Sequence, residues 1–170
     1  DEVLELKKVF FDRAFHYPTR VLLQFDTEEI NNYITSSNVP NDYKLNLRLY
    51  ETEGTSGLTE EYTIAAYPLT QEWDEGVGKE LDVPKTTDGC SWEYRKNREG
   101  ASEISWTNPG GTYTSTDEVT QSFSSESPDI NMDITTLAKK WFSGDNTNYG
   151  LLLRFSGSRE TSSGSFEDLK

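Results

Sequence analysis

One cysteine, one histidine and one methionine stand in the 170 residues, and no apolar run is longer than a few residues. Each shortage excludes something. With Cys90 alone, no disulfide can form within the chain, so it does not read as a small stapled secreted domain. Cys90 itself reads as a small buried hydrophobe, because a nucleophilic thiol needs a basic neighbour to form thiolate. His16 has no second histidine to join and cannot complete a usual zinc site. It reads as a turn residue before a strand, not as a general base. No Gly-x-Ser-x-Gly elbow marks a serine nucleophile. No stretch has the length of a membrane span or of a signal-peptide core. Basic residues are scarce too: 16 against 30 acidic ones leave a net charge of −14. A field of that sign repels phosphate backbones and anionic lipid heads, so neither nucleic acid nor membrane is an expected partner. The sequence begins at Asp1 and holds its one methionine at Met132, which is expected of a processed or trimmed piece.

What is plentiful is aromatic: four Trp, nine Tyr and eight Phe in a chain that is 33% apolar. Disordered chains are poor in such rings. The length suits a single domain over residues 1–170, able to bury roughly 70% of its unfolded surface. Low aliphatic content with many rings fits a thin two-layer fold with long polar loops.

The strongest local pattern has a period of two, the signature of half-buried strands. Val21, Leu23 and Phe25 share one face, as do Leu45, Leu47 and Leu49, with Asn46, Arg48 and Tyr50 opposite. Ile130-Asn131-Met132-Asp133-Ile134 alternates in the same way. Tyr62 to Tyr67 is a β-rich run stopped by Pro68, and Val3 to Phe11 is an opening strand with weaker alternation. Tyr149-Gly150-Leu151-Leu152-Leu153-Arg154-Phe155 is apolar enough for a central strand. Clusters of Gly, Asn, Asp and Ser separate these runs. One stretch departs from the pattern. Leu137 and Trp141 lie four apart, with a threonine to cap the start and Gly144 to close the end, so a short helix is expected over about 135–143. A weaker helical signal covers Thr27 to Ile34, with Thr27 as its N-cap. Between Pro68 and Ile130 long loops and short strands are both open readings, and the Ser/Thr-rich 112–127 stretch reads as partly mobile. The fold class expected is an all-β antiparallel sandwich with one short helix and long loops.

Candidate chemistry is sparse. The carboxylate pairs Asp74/Glu75 and Glu51/Glu53 have the residue types of a glycosidase. With so many acids, however, close pairs arise by chance, and Glu51 with Glu53 reads as a solvated strand edge. Asp74, Glu75, Asp82 and Asp88, or Asp145 with Asn146 and Asn148, offer hard oxygen ligands to Ca2+, but without the spacing of an EF-hand. No cofactor is otherwise expected and no catalytic residue is assigned. Trp73, Trp92, Tyr94 and Trp106 are the candidate glycan or partner contacts, because exposed rings stack on sugars. The opposing reading is that these rings plug the ends of a thin sandwich; Trp141 is assigned to the core outright. Arg95, Lys96 and Arg98 form a small basic island, read either as a contact for an acidic partner or as a solvated loop.

Taken in order, several motifs resemble DNRLRE-type domains. They are Arg20-Val21-Leu22-Leu23-Gln24-Phe25-Asp26, Leu45-Asn46-Leu47-Arg48-Leu49-Tyr50, Gln71-Glu72-Trp73-Asp74-Glu75-Gly76 and Ser102-Glu103-Ile104-Ser105-Trp106. Met132-Asp133-Ile134-Thr135 and Tyr149 to Phe155 complete the set, and together they cover about residues 20–155. The resemblance implies a jelly-roll-like β-sandwich of the kind found in bacterial surface and secreted proteins and in phage structural proteins. Tyr43 to Glu51, Tyr67-Pro68 and Asp88-Gly89-Cys90-Ser91-Trp92 are most similar to versions in virion proteins of tailed, especially marine, phages. The function this resemblance implies is that of a non-enzymatic virion structural or decoration protein. Its partners would be other virion proteins, with copies of itself on the particle as a homo-oligomer. The alternative is a carbohydrate-binding module on a secreted or cell-surface bacterial protein. The family runs on past a segment like Ser163 to Lys170 into one more strand, so the native chain is expected to continue.

Overall fold

In a computed structural model, residues 4–7, 9–11, 14–16, 18–50, 62–78, 83, 88–98, 100–123 and 129–160 are described. The alternating runs are strands. In chain order the elements are β1 (Val9–Phe11), β2 (Ala14–His16), β3 (Val21–Leu23), α1 (Thr27–Ser36), β4 (Asn46–Leu49) and β5 (Tyr62–Pro68). They continue with β6 (Tyr94–Lys96), β7 (Ile104–Ser105), β8 (Val119–Phe123), β9 (Ile130–Asp133), α2 (Thr135–Ser143), β10 (Leu151–Phe155) and a 3-10 turn (Gly157–Glu160).

Four strands form one antiparallel sheet in the order β3-β10-β5-β8, and β4 pairs with β9 in a second. The architecture is all-β and sandwich-like, with two short helices. β10 lies between two strands far from it in sequence, with Leu152 opposite Leu22 on one side and Tyr67 on the other. Side chains along a strand alternate between faces, and here both faces find apolar partners. On the inner face Leu151 and Leu153 pack with Val21, Ile64, Ala66, Met132, Leu137 and Trp141. On the outer face Leu152 packs with Leu69 and Trp106, flanked by Leu22, Trp73, Cys90 and Tyr113. Leu151, Leu152 and Leu153 are all fully buried. Each leucine removed from water in this way contributes about 1.5–3 kcal/mol.

The outer layer differs from the thin two-layer sandwich expected. Much of the stretch between Pro68 and Ile130 folds back over the main sheet. Within it β6 pairs with β7, Leu69 bridges Tyr113, and β8 forms the sheet edge inside the stretch read as partly mobile. Two glycine contacts let this layer press close. Gly76 and Gly89 meet back to back at φ +79° and +93°, where a Cβ on either would enter the other's backbone. Gly111, at φ +107°, lies against Leu152 with no room for a side chain between them.

α1 is capped by an aspartate one residue before the expected threonine, whereas α2 has Ile134 at its N-cap position and no side-chain cap. Asp26, not Thr27, is the N-cap of α1 and accepts from the Glu29 N–H at 2.9 Å. At α2 the Asp133 carboxylate accepts from the Thr135 N–H at 3.0 Å, while the Thr135 hydroxyl accepts from the Leu45 N–H at 2.8 Å. Thr135 therefore ties the helix to β4 instead of capping it. Hydrogen bonds from Thr135, with Lys44 beside it, hold the Asp133 carboxyl down at about 2. Gly144 closes α2 in the left-handed conformation, as its position implies. His16 ends β2 opposite Val9 and is not a turn residue before a strand.

A sandwich with one solvated face and this sheet with two covered faces respond differently to truncation. Leu152→Ala on the outer face costs about 2–5 kcal/mol, as does Leu153→Ala on the inner face. Urea denaturation checks this. A loss of less than about 1 kcal/mol for Leu152→Ala, as at a solvent-facing position, would mean that the outer layer does not seal the sheet.

Candidate functional site

The four aromatic candidates fall into two groups. Trp106 is 4% exposed, and its indole N–H donates to the Ser91 carbonyl at 3.0 Å. Trp73 is half-buried and donates to the Tyr149 carbonyl at 2.9 Å. Both rings hold the outer layer to the main sheet. Trp92 remains 42% exposed, and Tyr94 begins the adjacent strand β6. A hydrogen bond to Glu103 holds the Tyr94 phenol above its usual range. Of the four candidates, Trp92 is exposed and Tyr94 partly so, beside Glu93, Glu103 and the exposed Ile104.

Beneath Trp92 lies a polar network. The Arg20 guanidinium sits 4.6 Å from the Trp92 ring centre, a cation–π distance. It donates from Nε and Nη2 to the two Glu160 carboxylate oxygens and from Nη1 to the Gly110 carbonyl at 2.6 Å. Arg154 reaches the same carboxylate at 2.9 Å and donates to the Tyr113 hydroxyl. Tyr113 stacks on Tyr67 with ring centres 4.5 Å apart, and the Tyr67 hydroxyl donates to Glu118 at 2.9 Å. Burial, then the Glu118 carboxylate, pushes the Tyr67 phenol up to about 12. Glu160 is 8% exposed. A carboxylate so buried is stable in its charged form only with counter-charges and full hydrogen bonding, and two arginines supply both. Every donor nitrogen of Arg20 is occupied within the protein, so the network is a clasp between the 3-10 turn, β10 and the start of β3.

Several of the remaining candidates are also engaged internally. Lys96 pairs with Glu72 at 2.7 Å, Arg98 with Asp74 at 2.9 Å, and Arg95 donates to the Glu72 carbonyl at 2.9 Å. Within the expected basic island the charges of Lys96 and Arg98 are paired with neighbouring acids, and Arg98 stays largely exposed. With those cations on it, the Asp74 carboxylate is poorly placed to ligate a metal ion. Asn148 spends its amide on the Phe25 carbonyl and the Gly150 N–H, and Asp145 accepts from Ser143. Asp82, Glu51 and Glu53 lie outside the described residues. Among the described residues no three His, Cys, Asp or Glu side chains converge. Burial raises the Cys90 thiol to about 11, which suppresses the thiolate that a nucleophile needs.

A second feature lies between the helices. A cleft of about 330 Å³ opens between α1, α2 and β4. Its lining is mostly apolar, with Phe25, Ile30, Ile134, Trp141 and Phe142, and it includes the consecutive residues Leu45, Asn46, Leu47 and Arg48. The period-two pattern places those residues on a strand, but it carries no sign of which edge stays open.

The Arg20–Glu160–Arg154 clasp did have a sequence signal. Arg154 interrupts an otherwise apolar central strand, and a charge in such a strand needs a buried partner. Comparison of the chain with protein-family models, curated proteins and solved structures finds no match.

Removing the shared carboxylate leaves two guanidinium groups facing each other. Glu160→Gln is expected to destabilise the fold by about 3–5 kcal/mol, read from the shift in urea midpoint. A loss within about 0.5 kcal/mol would place Glu160 in solvent and dissolve the clasp.

Proposed function

We propose that the chain is a non-enzymatic packing module, and that its setting is the one its motif order implies: a structural or decoration component of a tailed-phage virion. The observation that supports packing over catalysis is the contrast between the polar clusters and the cleft. The buried Glu160 carboxylate is shared by Arg20 and Arg154, and these charges are consumed by internal hydrogen bonds. The cleft beside β4 presents apolar side chains and strand backbone, with no carboxylate pair, histidine or cysteine in its lining. A rigid scaffold whose buried charges are held by internal partners and that offers an edge and a groove is suited to holding neighbours. Repeated on a symmetric particle, weak contacts of this kind would add up through avidity.

Carbohydrate binding is the second reading, favoured by the exposed Trp92 ring with Tyr94 beside it. Two measurements separate them. Mass spectrometry of purified particles of the encoding phage is expected to find the chain at a fixed copy number, and a glycan array to show no binding. Absence from particles, or a gene flanked by no capsid, portal or tail genes, overturns the virion role. A glycan signal that disappears in Trp92→Ala replaces it with the carbohydrate reading.

A further inference from the structure

We propose that the open edge of β4 is a strand-docking site for an extended segment of another protein in which apolar and acidic residues alternate. This rests on the packing role above and names the chemistry of the partner.

The edge is defined by two hydrogen bonds. The Ile134 N–H donates to the Leu45 carbonyl at 2.9 Å, so Leu45 turns its backbone toward β9. The Asn131 N–H donates away from β4, to Gln121 Oε1 at 2.7 Å. With Asn131 opposite Arg48 and Asp133 opposite Asn46, these are the non-hydrogen-bonded pairs of the ladder. The N–H and C=O groups of Asn46 and Arg48 therefore point away from β9. Among the described residues no other strand pairs with β4. The cleft agrees with that direction. A pocket on one face of a strand touches alternate residues, whereas this one touches residues 45 to 48 in succession, so it runs along the edge.

The two faces of the edge determine what fits. A strand laid beside β4 would turn alternate side chains inward, onto Leu45, Ile134, Trp141 and Phe142. The others would turn outward, beside Lys44, Asn46 and Arg48. Lys44 is paired with Asp133 at 3.1 Å, whereas Arg48 makes no ion pair among the described residues. With Lys44 and Asp133 cancelling, Arg48 leaves one positive charge on the described part of this face in a chain of net charge −14, so a carboxylate opposite Arg48 is the complementary choice. A second copy of the chain is the wrong occupant. Antiparallel β4 against β4 sets Arg48 and Lys44 of one copy against those of the other, and joins two strongly acidic bodies.

The test uses the isolated chain and two capped heptapeptides, one alternating valine with glutamate and one alternating valine with lysine. The acidic peptide is expected to bind and to protect the Asn46 and Arg48 amides from hydrogen exchange, while the basic one does neither. Arg48→Glu is expected to weaken the acidic peptide about tenfold and to favour the basic one. Asn46→Pro removes an outward N–H that β9 does not use, and is expected to abolish binding with the β4–β9 pairing intact. If that variant does not fold, Arg48→Glu alone decides. Equal binding of both peptides, no protection at Asn46 and Arg48, or protection through self-association seen by sedimentation each overturn the proposal. Because no virion is involved, the peptide result can fail while the chain is still found in particles, and the reverse.

Discussion

Burial of β10 on both faces is the constraint on which the rest of the structure depends. Leu151, Leu152 and Leu153 are consecutive, so alternation sends them to opposite faces, and all three are fully buried. One layer cannot achieve that. The inner face requires β4, β9 and α2, and the outer face requires the folded-back stretch carrying Leu69, Trp73, Trp106 and Tyr113. With few aliphatic residues to spare, the chain seals the outer face with rings whose polar atoms must be satisfied. The Trp73 and Trp106 indoles accordingly donate to backbone carbonyls.

The residue after those leucines sets the second condition. Arg154 continues the outer face, so a guanidinium lies where the pattern leads to apolar burial. Glu160 meets it from one side, and Arg20 holds the same carboxylate from the other. Such a buried triad adds little net stability compared with an apolar core of the same volume. Its effect is to fix geometry: the carboxylate accepts from both arginines only when the 3-10 turn, β10 and the residue before β3 are in register. Trp92, resting on Arg20, belongs to the same clasp, which links the exposed aromatic surface to the centre of the sheet.

The fold was legible where local pattern and burial agree. Val21 to Phe25, Leu45 to Leu49, Ile130 to Ile134 and Leu151 to Phe155 alternate or are uniformly apolar, and each contains a strand of the core. β2 was not expected, and β6, β7 and β8, in the stretch where long loops and short strands were both open readings, are two to five residues long and set among Ser, Thr, Glu and Lys. Their pairing comes from partners distant in sequence, which no local window contains. The cap of α1 was misplaced by one residue because Asp26 lies directly before Thr27 and either can accept the orphan N–H, and at α2 the Thr135 hydroxyl is taken by the Leu45 N–H instead. Trp73 and Trp106 could not be told from Trp92 because composition carries no information on exposure. The ion pairs of the basic island were hidden for a similar reason: Asp74 and Lys96 lie far apart along the chain, and only the fold brings them together. The open edge of β4 was not visible at all, since an edge is a property of the sheet and not of the strand.

A sheet sealed on both faces and a second, two-stranded sheet whose β4 edge is unpaired among the described residues make opposite demands on the backbone. The first is expected to hold its amides until the whole domain unfolds; the second is expected to leave those of Asn46 and Arg48 available to a partner. Native-state hydrogen exchange, followed amide by amide in the isolated chain, measures both at once. Leu151, Leu152 and Leu153 are expected to exchange only through global unfolding, while Asn46 and Arg48 exchange freely. Exchange of the three leucines through local opening, or strong protection of Asn46 and Arg48 without a partner, would contradict both the double burial of β10 and the open edge of β4.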